Sequence, residues 1–288
     1  MSNRASYDKD IFNAIDILRS YGFNGQQELI DVLCRVTRTK KALASTEADT
    51  DTVYRTMQEV TSSMARFPGD ADLFFKLYNT LASFDGHAVL SYLNASGEGR
   101  ELAAPEVLVN KFEEYITDTV KSVLVPECEQ YGPELLEIIE THPEVMFTLT
   151  CKQELRYELL SSVYAAYNNA KVQMADIYSY GFTSEKFDLI IAIPVFGGRM
   201  LVNDEDFISR EPDLIAVQNL LYHINIDGEL VIVLPAKITF GGGSTASLRS
   251  YIESNYKIKE ISSLPDYSLH TLPLGRIFSY SPRALQMM

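Results

Sequence analysis

From Lys121 onward the chain alternates short β-branched runs with amphipathic stretches, and that order admits few folds. The runs fall at 122–125, 145–150, 171–174, 187–191, 229–234 and 257–264. Helical stretches lie between them at 133–140, 153–168, 213–223 and 245–255. Strand, helix and strand repeated in this way predict an α/β architecture, a mostly parallel sheet covered by helices on both faces. Ahead of it, residues 8 to about 120 read as helix after helix. Ile11, Ile15 and Leu18 recur at helical spacing, as do Leu29, Leu33 and Val36, and then Leu73, Leu77 and Leu81, each set a stripe that faces a core. The expected division is a helical domain over 1–100 and an α/β domain over 101–288.

Charge narrows the partners. The 288 residues carry 25 basic and 39 acidic side chains, a net charge of −14. Nucleic-acid affinity is mostly counterion release by Lys and Arg, so this chain is expected to hold DNA only weakly by itself. The one basic run of the helical half, Arg35, Arg38, Lys40 and Lys41, reads as a solvated helix end before it reads as a phosphate contact. No stretch approaches the roughly 18–20 unbroken apolar residues of a membrane span. The polar start has no apolar core of a signal peptide, so a cytoplasmic location is expected. Cys34, Cys128 and Cys151 are widely spaced, and the histidines are scattered, which suggests neither a disulfide framework nor a metal site. The Gly241-Gly242-Gly243-Ser244-Thr245 segment lacks the lysine of a phosphate loop and reads as a flexible connection, with Ser244 or Thr245 capping the next helix.

Ligands of parallel sheets bind beyond the carboxyl ends of the strands, and the residues there are the candidates for chemistry. Pro126 and Gly132 follow the first run, Glu154 opens the helix after the second, and Asp176 follows the third. Ile193-Pro194-Val195-Phe196 follows the fourth. Ionised carboxylates only accept hydrogen bonds, so an acid after the second strand suits ribose hydroxyls and one after the third suits an exocyclic amine. Each acid taken alone also reads as a helix cap.

The order of these segments resembles the N6-adenine DNA methyltransferases of type I restriction-modification systems, over about residues 101–274. Ala104-Pro105-Glu106 resembles the family's Thr-Pro segment, and SVLVPECEQYGPELL at 122–136 resembles "VLDPACGSGGFL". Lys152-Gln153-Glu154 is similar to "GxE", Ala175-Asp176 to "GD", and FDLIIAIPVFGG at 187–198 to "FDxIxANPPFG". DGELVIVLP at 227–235 is similar to "xGGRxAxVLP", and Glu260 to Pro265 to "xxVIxLP". The resemblance implies a class I S-adenosylmethionine-dependent methyltransferase-like, Rossmann-like sheet behind the helical domain. It implies a cofactor site at Pro126, Gly132, Glu154 and Asp176, with Glu154 on the ribose and Asp176 on the adenine amine. Pro194 and Phe196 would sit at the target base. It also implies a protein partner, a methyltransferase or a specificity subunit, because no base-reading module follows the last motif; residues 1–100 would help to dock it.

Two loops depart from that pattern. The first glycines of the family's turn fall on Glu129 and Tyr131, and its leading Asp falls on Val125; a glycine is needed where backbone approaches a ligand closely. Glu129 in the site would face the cofactor's own carboxylate, a repulsion of roughly 4 kcal/mol at about 4 Å and an effective dielectric of about 20. Tyr131 would compete for the same volume. Ile193 stands where the family has an Asn that accepts from the target amine, and one lost buried hydrogen bond costs about 1–3 kcal/mol. The expected function is a degenerate, non-catalytic methyltransferase-like subunit of a DNA-modification or restriction assembly, with no cofactor. The alternative is an active S-adenosylmethionine-dependent N6-adenine methyltransferase that works with a separate specificity subunit.

Overall fold

The computed structural model describes residues 2–44, 47–95, 104–201, 207–264 and 275–282. Glu101, Pro265 and His270 lie outside them. In chain order the helices α1 (Ser2–Ser20), α2 (Gln26–Leu43), α3 (Thr50–Val60), α4 (Ala71–Thr80), α5 (Gly86–Ala95) and α6 (Glu106–Glu113) come first. There follow β1 (Ser122–Val125), α7 (Glu134–Thr141), β2 (Met146–Cys151), α8 (Glu154–Tyr164), β3 (Ala170–Met174) and β4 (Phe187–Ala192). The chain then forms α9 (Pro212–Tyr222), β5 (Ile224–Pro235), α10 (Ser244–Asn255), β6 (Tyr256–Ser263) and β7 (Gly275–Pro282).

Two compact units result, Met1–Tyr92 with Gln153–Ala166, and Leu93–Lys152 with Tyr167–Met288. In the first, Asp49 and Asp70 start α3 and α4 as N-caps, each accepting a backbone N–H from three residues on. Arg35, Arg38 and Lys40 of the basic run on α2 are drawn into internal contacts here. Arg35 is buried and donates to Asp31, Thr61 and the Ala65 carbonyl. Lys40 Nζ donates to the carbonyls of Leu81, Ala82 and Phe84, beyond the end of α4. Arg38 pairs with Glu158 and donates to Ser162 Oγ at 2.8 Å, which ties α8 into this unit. A buried guanidinium is retained only with such partners. Arg35, Arg38 and Lys40, expected to be solvated, are instead occupied by internal contacts, whereas Lys41 is exposed at the helix end.

The second unit is a seven-stranded sheet of order β3-β2-β1-β4-β5-β7-β6, with only β7 antiparallel to its neighbours. It is the fold class anticipated from the alternation of runs and helices. Strands buried on both faces read as unbroken apolar runs, and Leu189, Ile190 and Ile191 in β4 are buried from either side. On one face Val125, Phe147 and Ile191 pack beneath Val109 and Phe112 of α6 and Leu135 and Ile138 of α7. On the other, Leu124, Ile190, Ile232 and Phe278 join Ile215, Leu248 and Ile252 from α9 and α10. The sequence reverses direction between β1 and β4, so the crevice for a ligand in such a sheet lies beyond the carboxyl ends of those two strands.

Candidate functional site: the rim between β1 and β4

Beyond Val125 the chain passes through Pro126 and enters a 3₁₀ turn, Cys128–Gln130, before Gly132. Glu127 takes φ 49°, ψ 49°, a left-handed conformation that costs a side-chain-bearing residue about 1–3 kcal/mol. Gly132 has φ 71°, and a Cβ there would stand 2.6 Å from Glu134 Oε2, so this one glycine is required by its position. The turn is anchored from outside at Gln130, whose carbonyl accepts from Ala104 N at 2.8 Å and Asn94 Nδ2 at 2.6 Å. The segment that resembles the family's Thr-Pro motif therefore holds the turn.

The interior of the turn is filled by its own side chains. Glu127, Glu129 and Tyr131 are 7%, 8% and 1% exposed. Tyr131 lays its ring near Phe112, with centroids 6.2 Å apart, and its hydroxyl donates to the Ile191 carbonyl at 3.1 Å. The Ile193 amide faces the same oxygen. A second tyrosine works in parallel: Tyr178 Oη donates to Glu127 Oε2 at 2.9 Å and accepts from the Val195 amide at 2.7 Å. The loop after β1 is thus joined to the end of β4 by the Tyr131 hydroxyl and to the loop after β4 by that of Tyr178, at the topological switch of the sheet.

Electrostatics follow from the burial. Desolvation, and then the neighbouring Glu129, push the Glu127 carboxyl up to about 7, against the Tyr178 hydrogen bond and Lys152, which favour the anion. Cys151 Sγ donates to Glu129 Oε1 at 3.8 Å from the end of β2. Lys152 Nζ lies 5.4 Å from the Tyr178 ring centroid, within the range of a cation–π contact. Burial raises the Cys128 thiol well above its usual value, so it is a neutral packing group.

Of the residues singled out from sequence, Pro126 and Gly132 are buried in this turn and Pro194 is buried beside Ile193. Val195 and Phe196 are half-buried ahead of Gly197 and Gly198. Asp176 is half-buried and spends Oδ1 on the Tyr178 amide at 3.0 Å, a local turn that aims the tyrosine. Glu154 is exposed in the first turn of α8 and belongs to the other compact unit. Sequence reasoning missed Glu127, Cys151, Lys152 and above all Tyr178. The spacing Asp-x-Tyr was the available signal for the last, since an Asp accepts readily from the amide two residues on. At α10 the N-cap is Gly243, with no side-chain cap bond, rather than Ser244 or Thr245. Among the described residues no group of three His, Cys, Asp or Glu side chains could hold a metal ion, and no helix is long and apolar enough to cross a membrane.

The order and direction of the strands, with β7 reversed beside β5, define the fold of the class I S-adenosylmethionine-dependent methyltransferases. No protein-family model matches the chain, and no curated protein matches it in sequence. Solved structures do match in fold. The type I restriction-modification system methyltransferase subunit from Streptococcus thermophilus superposes with a TM-score of 0.67 at 13% identity, over 99% of this chain and 86% of that one. A modification subunit assigned to a type I restriction enzyme of Vibrio vulnificus YJ016 gives 0.67 at 14% identity, over 97% and 81%. A Listeria monocytogenes protein assigned to the class I methyltransferases gives 0.60 at 15%, over 91% and 89%.

Proposed function

We propose that this chain is a methyltransferase-fold protein that no longer transfers methyl groups, and that it acts as an interaction or structural subunit of a DNA-modification or restriction-type assembly. The observation that carries this reading is the closure of the β1–β4 switch by Tyr131 and Tyr178. The residues present do not fit the methionine end of S-adenosylmethionine. That end needs bare main chain at the turn after β1, and here two buried carboxylates and a fully buried tyrosine ring occupy the turn. A cofactor carboxylate beside Glu129 would add like charge to a desolvated pair, and the Tyr131 hydroxyl already engages the main chain at the end of β4 and the Tyr178 hydroxyl that of the loop after it.

The target-base loop supports the same reading. Ile193 is buried and offers no side-chain acceptor to an adenine amine, and the neighbouring Val195 amide is committed to Tyr178. With Arg35, Arg38 and Lys40 engaged in internal contacts, the phosphate contacts fall mostly to a partner, consistent with the net charge of −14. The partner we propose is a methyltransferase or specificity subunit, on the strength of the fold shared with subunits of type I systems. The test is transfer of a labelled methyl group to unmethylated duplex DNA, using the protein alone and together with any specificity subunit recovered with it by affinity purification. No label above background is expected; label recovered as N6-methyladenine overturns the proposal and favours the active alternative.

A further inference from the structure

The two edges of the sheet are built differently. β3 and β6 are its outermost strands, and among the described residues each pairs on one side only. β6 is guarded: its register breaks at a bulge between Ile258 and Glu260, and Lys257 and Lys259 stand exposed along it, features that keep an edge from pairing. β3 keeps an unbroken register from Ala170 to Met174 and has neither bulge nor proline. Its one charge, Lys171, is neutralised within the chain, since Nζ donates to both Glu185 oxygens at 2.8 Å.

The phase of this edge follows from its ends. The Asn169 carbonyl accepts from the Phe147 amide at 2.8 Å, and the Ala175 amide donates to the Cys151 carbonyl at 3.1 Å. Alternate residues of a parallel strand face the same neighbour, so Lys171 and Gln173 also turn their main chain to β2. Ala170, Val172 and Met174 turn theirs outward. Tyr167 takes the Ala170 amide, which leaves the Val172 and Met174 amides and all three carbonyls for a further strand. The side chains of these three share one face, where Met174 is 59% exposed. Lys171 and Gln173 share the other, and both donate to Glu185 Oε1.

Such an edge is complementary to itself. Antiparallel strands related by a two-fold axis set one residue opposite its own copy. An axis at Lys171 would oppose two ammonium groups and pair only part of the strand, and one at Gln173 would also shorten the ladder. With the axis at Val172 the whole strand pairs: Val172 exchanges hydrogen bonds with its copy, and each Met174 amide meets an Ala170 carbonyl. On the apolar face Val172 then meets Val172, and Met174 covers Ala170. On the polar face Lys171 meets Gln173 of the second copy, beside the Glu185 carboxylate which that glutamine holds, so opposite charges meet on both sides of the axis.

We propose that β3 is a self-association edge, along which two copies of this chain join antiparallel across a two-fold axis at Val172 and merge their sheets. The inference goes beyond the subunit role above and holds with or without methyl transfer. Sedimentation velocity of the full chain, from low micromolar to several hundred micromolar, is expected to show a reversible dimer; a strand of five residues predicts weak association. Val172→Pro removes an outward donor that the β2 ladder does not use, and Val172→Lys opposes two ammonium groups at the axis; each should weaken the dimer about tenfold or more with unchanged circular dichroism. Should both fail to fold, Val172→Cys serves instead. Copper-phenanthroline oxidation is expected to link it into a covalent dimer, whereas Ile226→Cys, at a site 83% exposed on β5, stays unlinked; the native cysteines are buried. A wild type that is monomeric throughout the range, a dimer that folded Val172→Pro and Val172→Lys leave unchanged, or equal linking of the two cysteine variants overturns the proposal.

Discussion

In the body of the sheet Val123, Leu189, Ile190 and Val231 are buried among apolar neighbours, while one turn beyond the same strands the buried residues are Glu127, Glu129, Tyr131 and Tyr178. The body is stabilised by burial that has no direction, and it tolerates changes of residue as long as volume and patterning persist. The rim is held by a few directional bonds between phenols, a carboxyl and main chain. That difference explains how identities of 13–15% to solved methyltransferase-fold proteins coexist with superposition over most of the chain. The layers keep their packing rules, and the loops where a ligand would sit are free to acquire a different chemistry.

The contrast can be broken by substitutions on either side of it. The largest effect is expected in the body: Phe278→Ala removes a buried ring stacked on Tyr280 and should cost about 3–5 kcal/mol, measured by urea unfolding. At the rim the next effect depends on pH. Because the folded protein raises the Glu127 carboxyl from 4.5 to about 7, it binds that proton more tightly than the unfolded chain does. Stability from this group is therefore complete below about pH 4.5, declines as pH rises toward about 7, and stays low above it; the full span is about 3 kcal/mol. Glu127→Gln carries no charge to lose. It should match wild type near pH 4.5 and exceed it by up to about 3 kcal/mol at pH 8 in the same unfolding experiment.

Smaller effects sharpen the comparison. Gly243 opens α10 at φ 60°, ψ −133°, a region closed to side-chain-bearing residues, and Gly243→Ala should cost about 1–3 kcal/mol in thermal unfolding although a Cβ there meets no atom within 4 Å. Tyr131→Phe keeps the ring and its packing but leaves the Ile191 carbonyl without its phenolic donor. A loss of about 1 kcal/mol is expected, with the midpoint of urea unfolding as the readout. If Tyr131→Phe proved as costly as Phe278→Ala, the division between a packed body and a hydrogen-bonded rim would fail.

How much of this was legible in the chain follows the same line. Periodic burial marks β1, β2, β4 and the helices α7 and α10 to within a residue, because apolar spacing reports directly which faces are covered. β5 starts five residues earlier than its expected run, at Ile224, since the residues ahead of that run include polar Asn225 and Asp227. β7 went unread although Gly275–Pro282 alternates Arg, Phe and Tyr with Ile and Ser, the period of a strand; its place beside β5 is set only by long-range antiparallel pairing. The substitutions at Glu129, Tyr131 and Ile193 were visible as departures from a glycine turn and an Asn loop. Where their side chains go was not, because a phenol that bonds to main chain 60 residues away has no periodicity to announce it. Tyr178 escaped for the same reason, one short turn past an aspartate read as a cap when taken alone and, by resemblance, as a contact to the cofactor amine.

The closed rim is tested most directly by calorimetric titration of S-adenosylmethionine into the purified protein at neutral pH. With Tyr131 and Tyr178 joining the β1 and β4 loops, no binding heat is expected up to millimolar cofactor. Saturable heat with a dissociation constant in the micromolar range would contradict it.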